Sequence, residues 1–180
     1  ISSAHVYGPL TGEIDERQAV DPRSNYALLH YAAEQVLRRM VLPVEAALVL
    51  RPCAVFGPLP DPARFQRWSL IPFSFPRDAA QQGEIRLASP GLQRRNFISS
   101  AAIGAALADW LQSDSPGLRV ANAIGVDDLS VLDFANLTAK VAERVTGQPC
   151  RVVRPAAGPA TEAPLSYRSR TEQPRGGLAL

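Results

Sequence analysis

The spacing of apolar positions changes period along the chain, and that change predicts the elements. Between Tyr26 and Met40 apolar residues fall at 28, 29, 32, 33, 36, 37 and 40. This is the three-and-four spacing of a helix with a wide apolar stripe, a helix expected to be largely covered. Asp21-Pro22 and Ser24-Asn25 supply start signals, and Pro43 supplies a stop. The next segment, Glu45 to Gly57, contains an unbroken apolar run from Ala46 to Leu50. A run without alternation suits a parallel strand covered on both faces. A helix leading straight into such a strand indicates a βαβ unit, and so an α/β fold.

The same reading extends to the rest of the chain. Ile1 to Ser3 reads as the end of a buried strand, so the sequence is expected to start in the middle of a larger fold. "AHVYGPLTGEIDERQAVDPRS" reads as a loop rich in Gly, Pro, Asp and Arg, and residues 57–62 as another. Pro72 and Pro76 break any long helix in 64–80. Residues 84–89 alternate as an exposed strand would, and 94–99 form a short strand after the Pro90-Gly91 turn. Residues 100–111 form a helix capped by Ser99 or Ser100, and 117–125 a strand. Asp128 or Ser130 caps a long helix that runs to Val145 and ends at Gly147. Residues 150–155 are a last strand. Beyond Pro155 the composition of Pro, Ala, Gly, Arg and Ser predicts loop and a frayed tail.

Composition narrows the function classes. A chain of 180 residues, 46% hydrophobic and 20% charged, is long enough for one domain with a sizeable core. The net charge is +2, with no dense basic run interleaved with aromatics, so charge does not imply nucleic acid. The basic side is almost all arginine; the one lysine is Lys140. Cys53 and Cys150 lie far apart in apolar stretches without CxxC or Cys/His spacing, which predicts buried thiols and no metal site. No apolar run approaches the ~20 residues of a membrane helix. No charged-then-apolar leader is visible, so a soluble cytoplasmic protein is expected.

Three segments carry a family resemblance: "SSAHVYG" (Ser2 to Gly8), "NYALLHYAAEQVL" (Asn25 to Leu37) and "LRPCAVFGP" (Leu50 to Pro58). In this order they resemble the SSxxVYG strand end, the YxxxK helix and the LRxxNVYGP strand of the extended short-chain dehydrogenase/reductase superfamily, the NAD-dependent epimerase/dehydratase family. "RRNFISSAAIGAAL" and "LSVLDFANLTAKVAERVTG" resemble two later segments, so the likeness runs from Ile1 to about Arg154. It implies the C-terminal part of a Rossmann-type parallel sheet with a small α+β substrate-binding lobe. The Gly-rich dinucleotide-binding half of the family has no counterpart in this sequence, and no GxxGxxG turn is present. The expected partition is a partial Rossmann core over 1–58, a mainly substrate-binding lobe over 59–155, and loop and tail over 156–180.

The resemblance also implies a site. Ser3 stands where the family holds a substrate hydroxyl or carbonyl. Tyr26 stands at the general acid/base for hydride transfer to NAD or NADP. His30 replaces the lysine that holds the nicotinamide ribose and favours the phenolate. A phenol of pKa ~10 needs a nearby cation to act as a base at neutral pH. Histidine, titrating ordinarily at ~6.5, supplies that charge less well than lysine. The pair Tyr26 and His30 is therefore either a working site or two inherited positions that fill space. Cys53 falls where the family meets the nicotinamide end through its backbone. Ala54 takes the place of a substrate-contacting asparagine, and Ala101 and Ala102 take the place of two aspartates. Arg95 matches an arginine that grips the pyrophosphate of a nucleotide sugar, a task suited to a bidentate guanidinium; its alternative is an exposed charge in a polar turn. The expected function is an NAD-dependent epimerase/dehydratase-like oxidoreductase acting on a nucleotide sugar, here as a truncated fragment. The alternative is a non-catalytic nucleotide-sugar-binding or scaffold remnant. A homodimer through the Tyr26 to Met40 helix is a further implication of the resemblance.

Overall fold

A computed structural model of the chain describes residues 1–40, 45–113, 115–125, 128–155 and 164–171. In chain order the elements are β1 (Gly12–Ile14), α1 (Asn25–Met40), β2 (Ala46–Pro52), β3 (Ala54–Phe56), α2 (Ile71–Gln82), β4 (Glu84–Arg86), β5 (Arg94–Ser99), α3 (Ser100–Leu111), β6 (Gly117–Ala123), β7 (Asp128–Ser130), α4 (Val131–Thr146), β8 (Arg151–Val153) and β9 (Leu165–Tyr167). Single 3₁₀ turns occupy Ala4–Tyr7 and Pro62–Arg64.

The fold is mixed α/β with parallel strands. β2 runs parallel to β6 in one register from Ala46 opposite Gly117 to Pro52 opposite Ala123. Its inner residues Val49, Leu50, Arg51 and Pro52 are buried, as an unalternating strand requires. The strands do not form one continuous sheet. Among the described residues they pair as β1–β9, β2–β6, β3–β5–β7 and β4–β8, all parallel except β5–β7. The chain breaks between β2 and β3 at Cys53 and there exchanges β6 for β5 as its neighbour.

Local signals placed the later elements well. Ser99 caps α3, its Oγ accepting from the Ala102 N–H at 3.0 Å. At α4, Ser130 and Asp133 form a reciprocal capping box, and Gly147 closes the helix in the left-handed conformation.

Five expectations change. Residues 1–3 form no strand; they touch the sheet through one bond, from the Ser2 N–H to the Leu50 carbonyl at 2.7 Å. The loop after them holds the 3₁₀ turn and β1. Pro76 sits inside α2 instead of ending it. Pro72 lies in the first turn, where no N–H is needed, so Pro76 removes one helical hydrogen bond. Burial of Phe75 and Ala79 in the cluster built around Phe134 and Ala135 of α4 offsets that loss. Within the predicted tail, Leu165–Tyr167 is a buried strand paired with β1. Leu165 and Tyr167 fill the cluster around Val6, Tyr7 and Ile14, which a three-residue alternation among prolines and arginines does not announce. The expectations for Pro43, 156–163 and 172–180 lie outside the described residues.

The largest change concerns α1. Its apolar stripe is uncovered: Leu28, Leu29, Val36 and Met40 are exposed, and only Ala27 and Glu34 are fully buried. The helix is held by charge instead. Arg51 of β2 donates from Nε to Glu34 Oε1 at 2.9 Å and from Nη2 to Oε2 at 2.5 Å, with both side chains more than nine-tenths buried. Ser2 Oγ also donates to Glu34, and the Arg51 guanidinium lies 4.8 Å from the Tyr7 ring centroid. Burial opposes the Arg51 charge, but its contacts with Glu34 and Tyr7 together raise its pKa. Tyr7 donates to Asn122 Oδ1 of β6 at 2.7 Å, and Tyr167 donates to the Arg51 carbonyl at 2.6 Å.

Glu34→Ala strands a buried guanidinium, so it should cost about 3–5 kcal/mol in urea unfolding. Replacing Glu34 and Arg51 together by leucine should cost less than Glu34→Ala alone. A double variant as unstable as the single one would show that the pair does not anchor the helix.

Candidate functional site

The site grows from the turn Ala4–Tyr7. Ser3 is in extended conformation and caps this turn, its Oγ accepting from the His5 N–H at 3.2 Å. Gly8 ends it at φ +82°, with Asp21 O only 2.6 Å from where a Cβ would stand. Ala4, Val6 and Tyr7 are buried beneath, so His5 is the residue of the turn left facing outward. α1 starts beside it. Ser24 accepts the Ala27 N–H at its Oγ, 3.2 Å away, which sets Tyr26 in the first helical turn at 47% exposure. His30 follows one turn later, its ring 4.5 Å from the Tyr26 ring and nearly perpendicular to it at 69°. The His5 ring meets the same tyrosine from the other element, at 6.1 Å and 79°.

Ser3, Tyr26, Cys53, Ala54 and Arg95 all line one cleft of about 600 Å³. Five of the six predicted site residues therefore converge. The sixth, His30, reaches the cleft through its contact with Tyr26. The far wall comes from the segment before and into α2, including Phe65, Arg67, Leu70 and Phe73. Arg95 and Phe97 project from β5 into the cleft, two residues apart as one strand face requires. β5 is held in place by Asn96, which points the other way. Its Oδ1 accepts from Gly125 N at 2.7 Å, and its Nδ2 donates to Asp128 Oδ1 at 2.9 Å. Gly125 approaches so closely that a Cβ there would lie 1.7 Å from the Phe97 carbonyl oxygen.

The cleft is cationic. Arg67 and Arg95 line it beside His5, and among the described residues no Asp or Glu does. Arg95 donates from Nη1 to the Arg94 carbonyl at 2.7 Å, its one protein hydrogen bond among the described residues, and lines the cleft. The His5 pKa is lowered by burial first, then by the charges of Arg95 and His30. Burial pushes the Cys53 thiol up to about 11, against the pull of the Asn96 backbone N–H and Arg95. Ala54 brings only a methyl group where the resemblance implies an amide. Ser99 caps α3 by accepting the Ala102 N–H, with no help from the side chains of Ala101 or Ala102. His5 and Arg67 are the cleft residues that the sequence analysis missed. His5 stands at a variable position of SSxxVYG, and Arg67 on a loop, so neither carries a periodic signal. Among the described residues, no group of three or more His, Cys, Asp or Glu is placed to hold a metal ion. None of the helices described is long and apolar enough to cross a membrane.

The sequence model of the "NAD dependent epimerase/dehydratase family" matches residues 1–120. The chain belongs to the NAD-dependent epimerase/dehydratase family. No curated protein matches it. Among solved structures, MoeE5 in complex with UDP-glucuronic acid and NAD superposes with a TM-score of 0.66 at 22% identity, over 94% of this chain and 54% of its own. UDP-glucuronic acid 4-epimerase from Bacillus cereus, solved with UDP-glucuronic acid and NAD, gives 0.65 at 21% identity, over 85% of this chain and 46% of its own. RMD from Pseudomonas aeruginosa, complexed with NADPH, gives 0.68 at 22%, over 86% and 52%. These likenesses establish the fold. The chain spans about half the length of the epimerase/dehydratase structures it matches.

Cys53 lines the cleft yet holds its proton tightly, so it should be a slow nucleophile. Iodoacetamide labelling at neutral pH should run roughly 100-fold slower than for an ordinary thiol and should accelerate as pH rises toward 11. Labelling at the rate of a free thiol would show that Cys53 is not desolvated.

Proposed function

We propose that this chain carries the catalytic and substrate-binding part of an NAD- or NADP-dependent oxidoreductase of the epimerase/dehydratase type, acting on a nucleotide sugar. The supporting observation is the convergence of Ser3, Tyr26, Cys53, Ala54 and Arg95 on one cleft.

Each residue has a role its surroundings permit. The Ser3 oxygen already accepts a backbone N–H, so its own hydrogen is free to donate to a sugar oxygen. The Tyr26 phenol, half-exposed to the cleft, exchanges the proton of the reacting hydroxyl. Arg95 offers its free donors to the diphosphate. Cys53 borders the nicotinamide end as a packed, protonated thiol.

The cofactor fits in part. Tyr26 and His30, in edge-to-face contact, would hold the nicotinamide ribose, and the cofactor when bound would supply the hydride acceptor. No glycine-rich turn in this sequence would take its pyrophosphate. We place that contact in the half of the family fold that this chain does not span. The uncovered Leu28, Leu29, Val36 and Met40 stripe supports a second copy of the chain as partner.

The alternative, a nucleotide-sugar-binding protein without turnover, is favoured by His30, Ala54, Ala101 and Ala102 standing where the family resemblance implies lysine, asparagine and two aspartates. Binding and turnover separate the two. Calorimetry should show UDP-glucose or UDP-glucuronic acid binding, weakened about tenfold or more in Arg95→Ala. Affinity unchanged by that substitution would remove Arg95 from the substrate site. If the site is catalytic, His30→Lys should raise NAD-dependent turnover at neutral pH. Unchanged turnover would show that His30 takes no part, and turnover absent in both forms would favour the alternative.

A further inference from the structure

We propose that binding of an anionic sugar nucleotide in this cleft is coupled to proton uptake by His5, which is held with His30 against the ring of Tyr26. The proposal rests on the nucleotide-sugar reading of the cleft and adds to it a regulation by pH.

The sequence contains two histidines, and both touch one tyrosine from different elements, one from the turn after Ser3 and one from α1. The charged and titratable groups facing His5 are Tyr26 and His30 of α1, Arg95 of β5, Arg67 of the loop before α2, and Cys53 after β2. No carboxylate is among them. The acids of neighbouring elements are engaged elsewhere. Glu34 pairs with Arg51 and Ser2, Asp21 with Arg23 at 2.7 Å, and Asp128 with Asn96 at 2.9 Å. Glu16 accepts from Asn122 N and Ser169 Oγ, each at 2.7 Å.

In the free protein a proton on His5 is therefore opposed by positive neighbours and by partial burial, and its pKa lies below 6.5. A bound diphosphate brings negative charge into the same cleft and removes that opposition. The sign follows. The bound form holds the proton to a higher pH than the free form, so binding takes up a proton between the two values and affinity rises as pH falls through that window. Above the bound value and below the free value, affinity is flat. His30 adds to the opposition that a proton on His5 meets, and of the two it is His5 that lines the cleft. The chemical consequence falls on Tyr26. A positive charge beside a phenol favours the phenolate. Here that charge is drawn in by the substrate, where lysine would supply it permanently.

The experiment is calorimetry of UDP-glucose binding to the 180-residue chain at about pH 6 and about pH 8, each in two buffers of different ionisation heat. The diphosphate of UDP-glucose does not titrate in this range. The expected result at the lower pH is uptake of a fraction of a proton up to about one per ligand, with affinity several-fold higher than at the upper pH. His5→Gln should at least halve the uptake. The imidazole NMR signals of the native chain give a second readout that needs no variant, since UDP-glucose should raise the titration midpoint of His5. Binding with equal affinity at both pH values and no uptake would overturn the proposal, as would uptake unchanged in His5→Gln. Failure to bind UDP-glucose at either pH would overturn the nucleotide-sugar reading and this proposal with it.

Discussion

The buried pair of Glu34 and Arg51 sets where α1 lies, and the position of Tyr26 depends on that. α1 buries only Ala27 and Glu34 completely, so apolar packing alone holds it weakly to the rest of the chain. A bidentate guanidinium–carboxylate contact fixes both distance and angle, which a contact between methyl groups does not. Desolvating two charges is costly, and the pair is retained where its geometry is satisfied on every side. Here Ser2 adds a third bond to Glu34, and the Tyr7 ring covers the guanidinium. The helix is thus locked to β2 and to the segment carrying Ser3 through the same carboxylate.

The stretch Ser2 to Gly8 distributes its side chains among three tasks. Ser2 turns inward to Glu34, Tyr7 reaches Asn122 beneath Arg51, and Ser3 and His5 face the cleft. A 3₁₀ turn allows this division because its three-residue period sends neighbours in different directions. Gly8 then has to take a positive φ so that the loop can pass Asp21, whose N–H is bonded to the Val6 carbonyl at 2.9 Å. The motif that reads in sequence as one site signature is in space half anchor and half site.

Legibility followed the range of the forces involved. Capping boxes, left-handed glycines and helical periods act within a few residues. β5 and α3 could accordingly be read from the sequence to the residue, the α4 cap as one of two candidates, Asp128 or Ser130, and the Gly147 end to within one. The convergence of Ser3, Tyr26, Cys53, Ala54 and Arg95 was legible through the order of family motifs, which stands in for long-range geometry. The inward face of α1 was not. Its apolar stripe outvoted the one acid, which follows two alanines, although Glu34 lies at i+8 from Tyr26 and so on the tyrosine's own face. An arginine inside an otherwise apolar strand was the available clue to its partner. β9 escaped because its burial depends on β1 and on Tyr7, both far away in sequence. Arg67 and His5 escaped because a cleft wall made of loop and turn has no period to read.

A histidine at position 30, where the family resemblance implies lysine, bears on when positive charge is present at the tyrosine, beyond how much. An ammonium group is charged at all working pH values, whereas an imidazole is charged only when its surroundings permit. In the proposed coupling, burial and the positive neighbours Arg95 and Arg67 oppose that charge on His5 until an anion arrives, since among the described residues no carboxylate lines the cleft. The same arginines that would suit a diphosphate thereby disfavour a proton on His5 in its absence. In the proposed coupling, substrate recognition and activation of Tyr26 become one electrostatic event. Such a cleft would stay idle without substrate, since the charge that would favour the phenolate is the charge that the substrate would draw in.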